Sequence, residues 1–249
     1  VACGTGDNMA AALGLGLRAG AAVVSLGTSG TVYTVAEQAT SDPTGAVAGF
    51  ADATGRYLPL VCTLNATKVT DAVARLLGVD HAGLDALAAA GALGACGLTM
   101  LPYFDGERTP NLPSATGVMA GLRSDVSREQ VARAAFEAVV CGLLDGLDAL
   151  AAHAPVDRVV LVGGGARSVA FQGVAAALSS LPVAVADAGQ AVATGACVQA
   201  AAVALGVDHA TVARQWALGN SEPAGGQFDV DRASEIRSRY RALREREYG

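Results

Sequence analysis

The chain has 249 residues, enough for one large domain or two small ones, and 52% of them are apolar, so a full core can be buried. Much of that fraction is alanine and aromatics are few, which points to helices packed closely on a sheet. The formal charge of −6 provides no basic field for nucleic acid, and the single lysine, Lys68, against sixteen arginines reads as coding bias rather than as a site.

In chain order, residues 1–3 read as a strand tail feeding the loop Gly4-Thr5-Gly6-Asp7-Asn8, and residues 8–19 as a short helix ending in glycines. Residues 23–26 and 31–36 are predicted as two strands joined by a tight turn, and residues 56–63 as a third. Helices are expected over 67–77, stopped by Gly78, and over 84–93. A short strand over 99–103 leads into the loop Asp105-Gly106-Glu107-Arg108-Thr109-Pro110. Ser127 with Gln130 three residues on is a capping pattern, and Val131, Ala135, Val139, Leu143 and Leu147 then recur at helical spacing. Strands over 157–162 and 182–186 alternate with helices over 168–180 and 190–205, and residues 231–248 form a charged amphipathic end. Three strands in sequence followed by helix–strand alternation is a mixed α/β layout. No disordered tract longer than the segment 219–226 is expected.

Cys3, Cys62, Cys96, Cys141 and Cys197 are dispersed, with no Cys-x-x-Cys spacing, and read as reduced, buried thiols of a cytosolic protein. His81, His153 and His209 are isolated, so no histidine or cysteine metal site is expected. No signal peptide and no long charge-free apolar run occurs, so a soluble protein is expected.

Three glycine segments carry the chemistry. Asp7, between Gly6 and Asn8, is either the N-cap of the helix that follows or a general base on a loop small enough to admit a substrate hydroxyl. The segment Ser25-Leu26-Gly27-Thr28-Ser29-Gly30 is either an ordinary hairpin turn or a phosphate clip in which hydroxyls and turn amides converge on phosphate oxygens. No G-x-x-x-x-G-K-[ST] segment occurs, which excludes a P-loop enzyme. Gly163-Gly164-Gly165-Ala166-Arg167-Ser168 stands between a strand and a helix, where a ligand can approach backbone closely. It also fits a loose dinucleotide fingerprint, with Asp187 after the next strand as a ribose partner, so an NAD-binding dehydrogenase domain stays open. Gly14-Leu15-Gly16-Leu17-Arg18-Ala19 matches a similar pattern but follows a helix, and is taken as chance. Asn65 is either a nucleotide contact or an N-cap, and Glu107 and Arg108 have a structural role, pairing with each other or across an interface.

Together these segments resemble the FGGY carbohydrate kinases, above all their xylulokinase branch. The likeness runs in order through residues 6–8, 25–30 and 106–110, then Gly117-Val118-Met119-Ala120-Gly121-Leu122 with Gln130-Val131 and Ala134-Ala135-Phe136-Glu137, and finally 163–168. The resemblance implies a ribonuclease H-like domain of the actin and hexokinase type, with residues 1–19 as the tail of an N-terminal domain and 20–249 as the C-terminal nucleotide-binding domain. It implies ATP and Mg²⁺, with Asp7 as base and Asn8 on the sugar. It places Gly27, Thr28, Ser29 and Gly30 on the phosphates, Gly163, Gly164, Gly165, Ala166 and Ser168 on adenosine, and Asn65 near the nucleotide. D-xylulose becomes the expected substrate, with other sugars, polyols or mere ATP binding as alternatives. An N-terminal kinase half is the expected partner; the sequence is silent on oligomeric state and leaves room for a homodimer.

Overall fold

The computed structural model describes residues 4–186 and 189–249. A six-stranded mixed sheet forms its centre, in the order β3-β2-β1-β6-β7-β8. Strands β1 (Gly20–Leu26), β2 (Gly30–Thr34) and β3 (Leu60–Thr63) are antiparallel neighbours. Strands β6 (Val156–Val162) and β7 (Val183–Val185) run parallel to β1, and the two-residue β8 (Glu222–Pro223) closes the edge antiparallel. A separate ribbon pairs β4 (Thr99–Leu101) with β5 (Val118–Ala120).

One sheet face is covered by α2 (Thr67–Leu77), α4 (Arg128–Ala151) and α5 (Val169–Leu178), with α3 (His81–Ala90) packed outside α2 and α4 and α8 (Val230–Tyr248) packed on α4, α5 and β4. The capping box expected at Ser127 is formed: its hydroxyl accepts from Gln130 N, and Gln130 Oε1 accepts from Ser127 N. The other face is covered by α1 (Asp7–Gly14), over Val23, Tyr33, Val160 and Val162. Helices α6 (Ala191–Leu205) and α7 (His209–Gln215) pack beside α1 around Leu13, Val198 and Val212.

Several boundaries depart from expectation for local reasons. Helix α1 stops at Gly14 because Gly16, at φ +59°, forms a Schellman turn: Leu17 N donates to Ala12 O and Gly16 N to Leu13 O. Strand β3 begins only at Leu60, because Pro59 has no N–H for the ladder. Helix α3 begins at His81, where the Asp80 carboxylate accepts from Gly83 N. Part of the 219–226 stretch is the edge strand β8, and α7 and β5 had no sequence pattern long enough to mark them. Among the described cysteines, all free, Cys141 is buried and Cys62 half-buried, but Cys96 and Cys197 are exposed, so the expectation of uniformly buried thiols fails. Cys3 lies outside the described residues. Among the described residues no single helix is long and apolar enough to cross a membrane.

Two contacts hold the frame. Helices α1 and α6 cross at Gly14 and Gly195: a Cβ on Gly14 would lie 1.9 Å from Ala191 O, and one on Gly195 1.9 Å from Ala10 O. Helix α8 docks through arginines on α4. Arg237, Arg241 and Arg244 all donate to the Asp145 carboxylate, at 2.6–3.0 Å. Burial pushes the Asp145 carboxyl up, but the hydrogen bond and charge of Arg241, with Arg237 and Arg244, outweigh it and hold the group below the usual carboxylate range.

Two outcomes are expected. Gly195→Ala forces the α1–α6 crossing apart and costs roughly 1–3 kcal/mol in urea denaturation. Because the folded Asp145 pKa is lowered, its stabilising contribution is complete above the unfolded value of about 4 and is lost as pH falls through the folded one. Asp145→Asn therefore costs on the order of 3 kcal/mol at pH 7, and the gap from the parent protein closes in strong acid.

Candidate active site

The site lies at the C-terminal ends of the parallel strands β1 and β6. Each strand runs into a glycine turn, and the turns touch. Gly163 sits at φ +92°, and a Cβ there would be 2.8 Å from Leu26 O; one on Gly165 would be 2.9 Å from Leu26 Cβ. Gly164, between them, has open space where its Cβ would point. Residues 164–167 form one 3₁₀ turn before α5, where Ser168 is the N-cap, its hydroxyl accepting from Phe171 N at 3.0 Å.

This arrangement leaves a cavity on each side of the paired turns. On one side is a cleft of about 590 Å³. Its apolar floor includes Leu26, Leu84, Phe136 and Phe171, whose two phenyl rings meet at 4.4 Å. Gly164 and Gly165 form one wall, Thr67, Thr70 and Asp71 of α2 and His81 and Asp85 of α3 the other, and Gly27 and Thr28 also line it. The volume and the apolar floor with a polar wall suit a nucleoside-sized ligand. On the other side is a cavity of about 320 Å³ lined by Asp7, Asn8, Ser25, Tyr33 and Gly163. Gly163 thus faces one cavity and Gly164 the other.

Asp7 is the first residue of α1 and not its N-cap. Gly6 holds the cap position and no side chain caps the helix. The Asp7 carboxylate is exposed and accepts from Asn8 N at 2.8 Å and from Asn8 Nδ2 at 3.2 Å. Tyr33 shares its cavity, a residue whose functional placement no sequence pattern signalled. Burial, and after it the charge of Asp7, pushes the Tyr33 phenol up, so it stays a protonated hydroxyl.

The β1–β2 turn is a hairpin, as expected, and it also caps α2. Ala66 and Lys68 amides donate to Thr28 O, and Thr67 N donates to Gly27 O. The amides of Thr28 and Ser29 make no hydrogen bond among the described residues, and both residues are exposed. Gly30 is buried instead: Leu143 Cδ2 and Thr63 Oγ1 each lie 2.6 Å from where its Cβ would be.

Two expected contacts sit beneath the surface. Ala166 is 2% exposed. Asn65 is 3% exposed, and it is not the N-cap of α2, which is Ala66. Its Nδ2 donates to Gly106 O at 2.7 Å and to Glu107 Oε2 at 2.8 Å. Glu107 is buried and also accepts from Leu64 N and Arg108 N, so the 105–110 loop has the structural role expected of it, but through backbone amides rather than a Glu107–Arg108 ion pair.

The dinucleotide reading of residues 163–168 does not fit. A Rossmann helix offers its N-terminal amides to pyrophosphate. Here Ala170 N already donates to the Asp85 carboxylate at 3.1 Å, and the sheet is antiparallel on one side of β1. Asp187 lies outside the described residues. Among the described residues no three acids, histidines or cysteines are grouped to hold a metal ion.

The mixed sheet and flanking helices are those of the actin and hexokinase type. A family model, the FGGY family of carbohydrate kinases, C-terminal domain, matches residues 22–204, and the chain belongs to that family. It is 50% identical over 218 residues to a xylulose kinase of Streptomyces rubiginosus, a match covering 87% of this chain and 44% of that protein. The crystal structure of xylulose kinase from Bifidobacterium adolescentis superposes with a TM-score of 0.81 at 38% identity, over 98% of this chain and 47% of that one. A kinase structure from Brucella ovis gives 0.90 at 28% identity, over 98% and 51%. The chain thus spans less than half the length of the curated relatives it matches.

Gly164 offers a clean test of the cleft. Its backbone is not left-handed and nothing lies within 4 Å of its Cβ position. Gly164→Val should therefore leave the melting temperature nearly unchanged while weakening Mg-ATP binding by about 10-fold or more in calorimetry, as a branched side chain fills the wall.

Proposed function

We propose that the chain is the catalytic C-terminal portion of a cytoplasmic sugar kinase that transfers the γ-phosphoryl group of ATP to D-xylulose, forming xylulose 5-phosphate. One observation carries this reading. An exposed carboxylate and a nucleoside-sized cleft lie on opposite sides of a single glycine partition, whose turn amides at Thr28 and Ser29 are free to donate. The xylulose kinase relatives favour the pentulose among sugars.

Phosphoryl transfer depends on positioning and charge stabilisation more than on covalent chemistry. Adenosine lies against Gly164 and Gly165, above Phe136 and Phe171. The phosphates pass the partition at Gly27, Thr28 and Ser29. Asp7 accepts the proton of the sugar hydroxyl as its oxygen bonds to the γ-phosphorus and ADP leaves, and Asn8 holds the sugar. Tyr33, kept protonated, donates within the same cavity. Mg²⁺ carried by the nucleotide would supply neutralisation of the phosphate charge. Residues 1–19 carry the catalytic loop, with α1 packed on the sheet of the nucleotide-binding domain 20–249, and an N-terminal domain completes the sugar site.

The test joins this chain to the N-terminal half of the Streptomyces rubiginosus relative and measures ADP release with D-xylulose. Turnover is expected for the joined protein. Asp7→Asn should lower it by roughly 10²–10⁴ while Mg-ATP affinity holds. Because Gly6 occupies the cap position, helix capping gives no reason for a loss. Near-normal turnover in Asp7→Asn removes it as the base.

A further inference from the structure

The cleft wall opposite the glycines contains a carboxylate that phosphoryl transfer does not use. Asp85, on the middle of α3, reaches across to the start of α5. Its Oδ1 accepts a short hydrogen bond from Ser168 Oγ and a second, of 3.1 Å, from Ala170 N. Ser168 in turn caps α5 through Phe171 N and donates its own amide to Gly165 O at 3.0 Å. From Asp85 the chain of bonds therefore runs into the glycine turn itself. A second tie, Gln172 Nε2 to Ala166 O at 2.8 Å, holds the same turn from within α5.

This placement has two physical consequences. A turn of three glycines is the most entropically costly segment to hold in one conformation, and Asp85 anchors it from a separate helix. The helix N-terminus attracts anions, and here a side-chain carboxylate is already bonded at it, to Ala170 N. A phosphate brought to this end of the cleft would meet Asp85 at close range and find Ala170 N already taken. The Thr28 and Ser29 amides, on the hairpin, are free among the described residues.

We propose that Asp85 is a positioning residue of the nucleotide cleft: from α3 it locks the 163–168 turn and reserves this end for the uncharged nucleoside part of the ligand. The inference rests on the reading of the cleft as a nucleotide site.

Calorimetry on this chain with adenosine and with Mg-ATP, and amide hydrogen exchange without ligand, test it. Asp85→Ala should speed exchange at residues 164–171 and weaken both ligands by about 10-fold, the scale of a lost charge-assisted hydrogen bond. Asp85→Asn keeps an acceptor oxygen for Ser168 and Ala170 and should return both affinities to within about 3-fold of the parent. It also removes the negative charge, so inorganic pyrophosphate, which should not displace adenosine from the parent, should compete with adenosine for Asp85→Asn. Parent-like affinity and exchange in Asp85→Ala overturn the proposal. So does Asp85→Asn as impaired as Asp85→Ala, or pyrophosphate that fails to compete with adenosine. If the parent binds neither adenosine nor Mg-ATP, the nucleotide reading itself falls, and Asp85's role in it with it.

Discussion

The contact between Leu26 and the glycines after β6 is the constraint from which the site follows. Parallel pairing of β1 with β6 brings two strand ends side by side, and the turn leaving one must pass over the last residue of the other. At 2.8–2.9 Å from Leu26, the Cβ positions of Gly163 and Gly165 have no room for an atom. Backbone alone can form the partition, so a ligand on either side approaches main chain rather than side chains. The small cavity beside Asp7 and the larger cleft beneath Gly164 are the two sides of that one close approach.

Donors are distributed around this partition by elimination. Helix α2 has its first amides bonded to the Gly27 and Thr28 carbonyls, and α5 has its own bonded to Asp85 and Ser168. Both helix starts that border the cleft thereby have amides bonded internally. The hairpin tip at Thr28 and Ser29 keeps its amides unbonded among the described residues, so the hairpin that caps α2 with its carbonyls turns its amides elsewhere. The apolar floor of Phe136 and Phe171 belongs to α4 and α5, and α4 packs on the sheet at Gly30, where Leu143 fills the space a side chain would take. Of the four residues 27–30, the last serves packing and the middle two face solvent.

The elements that were legible in the sequence are those with strong local codes. The capping box at Ser127, the hairpin at 27–30, Gly78 at the end of α2 and the strand before Gly163 all form near where periodicity and turn chemistry place them. The misses have long-range causes. Glu107 looks like an exposed loop acid, yet it is buried because Leu64 N and Asn65 Nδ2 come to it from the entry to α2. Asn65 reads as a cap or a ligand contact, yet its amide nitrogen is bonded to that same loop. Asp85 lies on a helix whose pattern marks no functional face, and only the approach of α5 gives it partners.

By itself the sequence determined the mixed α/β class, the order of most elements and the family, since glycine turns, caps and ordered motifs are encoded within a few residues of one another. Tertiary structure alone decided which carboxylate is free and which is engaged. Asp7, Asp85 and Glu107 are chemically equivalent in the sequence. One lies open on a helix start, one satisfies a neighbouring helix and one is sealed beneath a loop. That difference depends on backbone amides brought from 40 to 90 residues away, which no local pattern specifies.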